Sequence, residues 1–215
     1  MKRILWGQQE MTTTELLVAA LFAAVLLGTL YGFYREQLYN LLSEEVKTST
    51  LEDARGALDI MARELRNAGS FPLTTDPSCL KDGSGNPLRV ISASSTSIHI
   101  QTDTQSTGGG DPDGKCTATG ENVTYDIGKA TETCPGTILR RDGKCLVANV
   151  VIPPGAQLFT YFDTAHTQLP PNPPVASIKM VKIVFSVQVP EPTPQGKASG
   201  RTITSTLASS VEFRN

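Results

Sequence analysis

The chain has 215 residues, room for one folded domain with an appendage. Its 19 Lys and Arg stand against 21 Asp and Glu, so no net basic field selects a nucleic-acid partner. With 18 glycines, 14 prolines and only 6% aromatics, the composition suits a β-rich domain with long connections, most of them after residue 69.

The first element is apolar. Leu16 to Tyr34 contains no charged side chain, and 19 residues of helix rise roughly 28 Å, close to the hydrocarbon thickness of a bilayer. Lys2 and Arg3 precede this run, whereas Arg35, Glu36, Glu44 and Glu45 follow it. The positive-inside bias therefore places the N-terminus in the cytoplasm and the bulk of the chain outside. No small-x-small site closes the run, which reads as a retained anchor rather than a cleaved secretory signal. Gly28 and Gly32 stand at the G-x-x-x-G spacing that permits close helix approach. One carboxylate, Glu15, sits at the lip of the run, where an acid is costly unless something uses it.

Helical periodicity continues beyond the anchor. Leu51, Ala54, Leu58, Met61 and Leu65 form one apolar stripe, and Arg55, Asp59 and Arg63 offer i,i+4 charge pairs on the wet side. The helix is expected to end at Asn67, Ala68 and Gly69, with Pro72 preventing resumption. Lys47 to Thr50 has weak helix propensity and marks an expected bend or short break.

Downstream, Leu88 to Ile91 and Ile98 to Gln101 flank a turn, Val123, Tyr125 and Ile127 alternate, and Cys145 to Ile152 and Leu158 to Phe162 are further strand candidates. Val181, Ile183, Phe185, Val187 and Val189 share one strand face, as do Ile203, Leu207, Val211 and Phe213 in the following segment, predicting an antiparallel pair. A sheet with one apolar face needs a cover, and the Leu51 to Leu65 stripe is the amphipathic helix available. The expected architecture is α+β, a long helical spine packed on an antiparallel β-sheet. Thr102 to Lys115 and Leu169 to Val175 are expected as surface loops.

Cys79, Cys116, Cys134 and Cys145 include no C-x-x-C pair, which favours two disulfides over a zinc site and agrees with an oxidising, extracytoplasmic location. Three pairings are open. His99 alternates with Ile98 and Ile100 on a strand and is expected to face solvent; neither it nor His166 belongs to a metal-binding signature. Asp111 and Asp113 resemble a fragment of a calcium loop but lack its remaining donors and its terminal Glu, so turn formation is their default role. Asn122-Val123-Thr124 matches a glycosylation sequon. Nucleophile-elbow, P-loop and dinucleotide signatures are absent, no cofactor is implied, and the chain reads as a non-enzyme.

Taken together, MTTTELLVAALFAAVLLGTLYGFY resembles the N-terminal segment of type IV pilin-like proteins, and LEDARGALDIMARELRNAG resembles the second half of the spine in PilW-type minor pilins and J-type pseudopilins of type II secretion. The terminal VEFRN is similar to the last strand of many such proteins. The likeness is specific over the first 69 residues and general beyond them.

It implies a leader at 1–10, a transmembrane and filament-core helix at 11–34, the amphipathic half of the spine at 35–69 and an extracytoplasmic head at 70–215. It implies cleavage between Glu10 and Met11 by an inner-membrane prepilin peptidase, methylation at Met11, and Glu15 as the acid that meets a neighbouring subunit's amine. The implied partners are other pilin-like subunits, an inner-membrane assembly platform and membrane lipid, with the chain in a bacterial inner membrane and its head in the periplasm. The implied role is initiation or the tip of a filament; a single-pass anchored binding protein or adhesin is the alternative. One position departs from the family: Glu10 stands where a glycine precedes the scissile bond, and the nearest glycine is Gly7. A cleaved and a retained leader are both open.

Overall fold

The computed structural model describes residues 12–71, 78–104, 110–192 and 198–213. A single helix, α1 (Thr13–Asn67), accounts for 55 of these residues and extends about 82 Å. Its start is fixed by a reciprocal cap. The Thr12 hydroxyl accepts from the Glu15 amide, and the Glu15 carboxylate accepts from the Thr12 amide at 3.0 Å. Its end is fixed by the Ala68 amide, which turns back to the Glu64 and Leu65 carbonyls, and by Gly69 at φ +82°. A side chain at Gly69 would also meet Arg89, whose Cβ lies 2.7 Å from where a Cβ would stand.

The break expected near Lys47 to Thr50 is absent. α1 runs through it unbroken, with the Thr50 hydroxyl donating to the Val46 carbonyl at 2.8 Å. Weak propensity loses here because the helix is fixed beyond the site by packing: Ala54, Ala57, Leu58, Met61 and Leu65 are all buried. The expected pairs of Asp59 with Arg55 and Arg63 are not formed among the described residues, and all three side chains face solvent. Such exposed pairs return little for the side-chain entropy they fix.

Two antiparallel sheets form the head. The first is a meander in chain order: β1 (Val90–Ala93), β2 (Ser97–Gln101), β3 (Asn122–Gly128), β4 (Ile138–Arg141) and β5 (Lys144–Val147). The second contains β6 (Val150–Val151), β7 (Phe159–Phe162), β8 (Met180–Pro192) and β9 (Ala198–Glu212). β9 pairs with β8 along its length, so β6 and β7 share the other edge of β8 end to end. α1 lies against β8 and β9. The faces are those the alternation predicted, with Val181, Ile183, Phe185 and Val187 opposite Val211, Ser209, Leu207 and Ser205.

Between the helix and the sheets, Met61 and Leu65 join Tyr125, Phe159, Tyr161 and Phe185 in one continuous core. Tyr161 keeps its hydroxyl satisfied by donating to the Ser94 carbonyl at 2.8 Å, and burial pushes its phenol well above the usual range.

The strand expected over Cys145 to Ile152 is two strands in different sheets. Asn149, at φ +53°, turns the chain between β5 and β6, and its carbonyl accepts from the Gln188 amide. β4 was not anticipated, although Asp142-Gly143 is a two-residue hairpin signal; both residues have positive φ, 51° and 75°. The ends of the 102–115 loop also differ from expectation, because Thr102, Asp103 and Gly114 are buried rather than on the surface. Thr102 donates to the Asn67 carbonyl at 3.0 Å, and the Asp103 amide donates to the Ser70 carbonyl, so the loop base is tied to the end of α1. Leu169 to Val175 is largely exposed irregular chain, running into a 3-10 turn at Val175–Ser177.

Candidate functional site

The bare N-terminal half of α1 is the most distinctive surface. Leu16, Leu21, Phe22, Leu26, Leu30 and Phe33 are each more than half exposed, and the segment is long and apolar enough to cross a membrane. Gly28 and Gly32 have nothing within 4 Å of where a Cβ would stand, so the backbone there is open to close approach. Exposed apolar side chains continue beyond the charged boundary at Arg35 and Glu36, through Leu38, Leu41, Leu42 and Val46. The half-buried positions 39, 43, 47, 50 and 51 lead into the core stripe along a different line.

Glu15 opens this helix and already has intrachain work. Its carboxylate accepts from both the amide and the hydroxyl of Thr12, each at 3.0 Å, at the positive end of the helix dipole. The S/T-x-x-E signature of such a cap stands in the sequence at Thr12 to Glu15. Glu10 and Met11 lie outside the described residues.

A second grouping joins α1 to the first sheet. The Tyr125 hydroxyl donates to Glu64, and Arg141 donates to both Glu64 oxygens, through Nη2 at 2.8 Å to one and Nε at 3.1 Å to the other. Arg141 also reaches Asp142 at 3.2 Å. The Tyr125 phenol is pushed strongly upward by burial and then by Glu64, while Glu64 raises Arg141, so the guanidinium stays charged. Beside the trio lies an open cleft of about 250 Å³, lined also by Asn67, Thr102, Thr104 and Thr119. Its two strongest charges, Glu64 and Arg141, are spent on each other.

The third grouping lies around the loop base. Cys79 pairs with Cys116, and Cys134 with Cys145, with Cα separations of 5.0 and 6.5 Å. All four thiols are thereby used. Gln101, fully buried, accepts from the Leu80 amide at 2.9 Å and donates to the Leu80 and Leu88 carbonyls, holding residues 80–88 against β2. Glu121 accepts from the Thr104 and Ala118 amides at 3.1 and 2.8 Å. Asp103 is 1% exposed, and among the described residues neither of its carboxylate oxygens has a hydrogen-bond partner. Burial raises its pKa and the charges of Glu121 and Asp113 add to that, against the pull of the Gly114 and Asp113 amides.

Asp111 and Asp113 are exposed, and Asp113 accepts from the Lys115 amide at 3.0 Å, a turn role. No group of three or more His, Cys, Asp or Glu among the described residues could hold a metal ion. His99 is half-exposed on β2 and hydrogen-bonded to Asn122, so the sequon side chain is engaged by its neighbour.

Comparison with protein-family models, curated proteins and solved structures finds no match. The three groupings differ in kind: the head is tied together by hydrogen bonds, ion pairs and disulfides, while α1 presents apolar surface that none of the described residues covers.

Proposed function

We propose that the chain is a pilin-like subunit, of the minor-pilin or pseudopilin kind, that assembles through α1 into a filament based in a bacterial inner membrane. The observation that supports this reading most is the division of labour within one unbroken helix. The same α1 that buries Met61 and Leu65 in the head leaves Leu16 to Tyr34 bare, so the head and the bare segment are coupled through one helix rather than by a flexible linker. An anchor whose only task is tethering does not require that continuity.

In this reading Lys2 and Arg3 stay on the cytoplasmic side, the disulfide-bearing head lies in the periplasm, and the role is assembly rather than catalysis. Neighbouring helices cover the apolar surface, with Gly28 and Gly32 allowing close approach. Glu15, freed from Thr12 or shared with it, meets a neighbour's α-amino group, because a carboxylate at membrane depth is stabilised by a paired cation. That amine exists only if the leader is removed before Met11.

Two measurements test this reading. Mass spectrometry of the native N-terminus reports whether Met11 is the first residue; an intact Met1 overturns the amine pairing. Cross-linking in intact membranes, followed by identification of the adducts, is expected to join α1 to other subunits bearing an N-terminal apolar helix with an acid near its start. Adducts with lipid alone overturn the filament reading and favour a lone anchored head.

A further inference from the structure

The outer edge of β9 is a second assembly surface. Among the described residues β9 pairs only with β8, so half of its backbone amides and carbonyls point outward with no strand to receive them. From Thr202 to Val211 the strand contains no charged residue, no proline and no glycine, and over this span its register with β8 is regular, the one irregularity lying before it at Pro190 and Pro192. Exposed edges in soluble domains are normally blunted by lysines, prolines, bulges or short length. Over 202–211 this one has none of those devices, and its Thr, Ile and Val content favours extended pairing. We propose that β9 takes up an extended, uncharged strand from a neighbouring, different pilin-like subunit, continuing the β8–β9 sheet across the boundary; the proposal rests on the filament reading.

Geometry decides against a second copy's β9. A parallel pair of these edges has its two-fold along the strands and puts the two α1 helices on opposite faces of the joined sheet, holding their bare halves apart. The antiparallel pair fails for a different reason. An antiparallel pair of identical edges is related by a two-fold axis normal to the sheet. Because α1 lies against β8 and β9, that axis reverses α1, whereas two copies anchored in one membrane point their helices the same way. The other edge of β8 is filled by β6 and β7, and the edge strands of the first sheet, β1 and β5, are four residues each. None of these described strands matches ten residues of open edge. The occupant therefore brings its own long free strand. Side chains on the wet face, Thr202, Thr204, Ala208 and Ser210, are small and uncharged, so they accept a β-branched neighbour strand without steric or charge conflict. Backbone hydrogen bonds supply the affinity.

Hydrogen exchange of the full chain, read peptide by peptide, separates the outcomes. It compares intact membranes in which subunits assemble with detergent-solubilised monomer. The expected result is exchange slower by about tenfold or more over 202–211 in the assembled state, alongside protection of α1. The double variant Thr204→Lys with Ala208→Lys should lose the β9 protection while keeping the monomer's thermal midpoint; Thr204→Val with Ala208→Val should retain it. Protection of α1 without β9 overturns the edge proposal and leaves the filament reading standing. Protection of neither overturns both. Were the lysine variant to misfold, the wild-type comparison alone would still decide.

Discussion

Glu64 and Arg141 are 77 residues apart in sequence and 2.8 Å apart in the fold. Both side chains are three-quarters buried, and Tyr125 donates to the same carboxylate. The pair is therefore a strut between the last turn of α1 and the β4–β5 hairpin, beside the apolar core that packs the helix on the head.

Glu64→Ala leaves the Arg141 guanidinium and the Tyr125 hydroxyl without their acceptor in a partly buried site. A loss of roughly 2 kcal/mol follows. Thermal unfolding of the detergent-solubilised full chain measures it, and Glu64→Gln should recover part of the loss because it can still accept from Tyr125.

Leu65→Ala opens a cavity in a fully packed region and should cost about 3 kcal/mol, whereas Leu42→Ala, on an exposed position of the same helix, should leave head stability unchanged. The contrast separates the two halves of α1 by denaturant titration. Equal losses would contradict the division of the helix into a head-packed part and an uncovered part.

The Cys79–Cys116 bridge closes a separation of 37 residues and Cys134–Cys145 one of 11. Chain entropy alone assigns them about 4 and about 3 kcal/mol respectively. Double alanine substitution at each bridge should rank in that order, and peptide mapping under non-reducing conditions should recover these two linkages.

Asp103 has a raised pKa in the fold, so the unfolded chain gives up this proton first as pH rises. Its contribution is neutral below the unfolded value near 3.9, becomes unfavourable as pH rises through that value toward the folded one, and then stays constant. Asp103→Asn should therefore raise the thermal midpoint at pH 7, and the gain should shrink towards zero near pH 4. A gain independent of pH would show that the charge is not its source.

Periodicity made α1's buried stripe and the β8–β9 faces legible, because each repeats over many residues and the apolar side chains leave one geometric solution. Short elements were harder. β4 spans only four residues, and the β5–β6 boundary depends on a single left-handed Asn149 inside an apolar run. Long-range polar partners were not legible at all. Nothing near Glu64 in sequence indicates Arg141 or Tyr125, and Asp103 reads as a loop acid until the fold buries it. The cysteines indicated disulfides but not which pairs. Thr12 and Glu15 are the opposite case: their S/T-x-x-E spacing makes the cap readable locally.

That cap provides the sharpest test of the central claim, because glutamine can keep a capping bond while losing the charge. The decisive measurement is filament assembly in native membranes for Glu15→Gln beside wild type, with helix content and membrane insertion checked in parallel. If Glu15 pairs with a neighbour's amine, the variant keeps its helix and its insertion but assembles poorly, each contact losing on the order of 3 kcal/mol. Assembly of Glu15→Gln at the wild-type level would contradict the account and leave Glu15 as a helix cap alone.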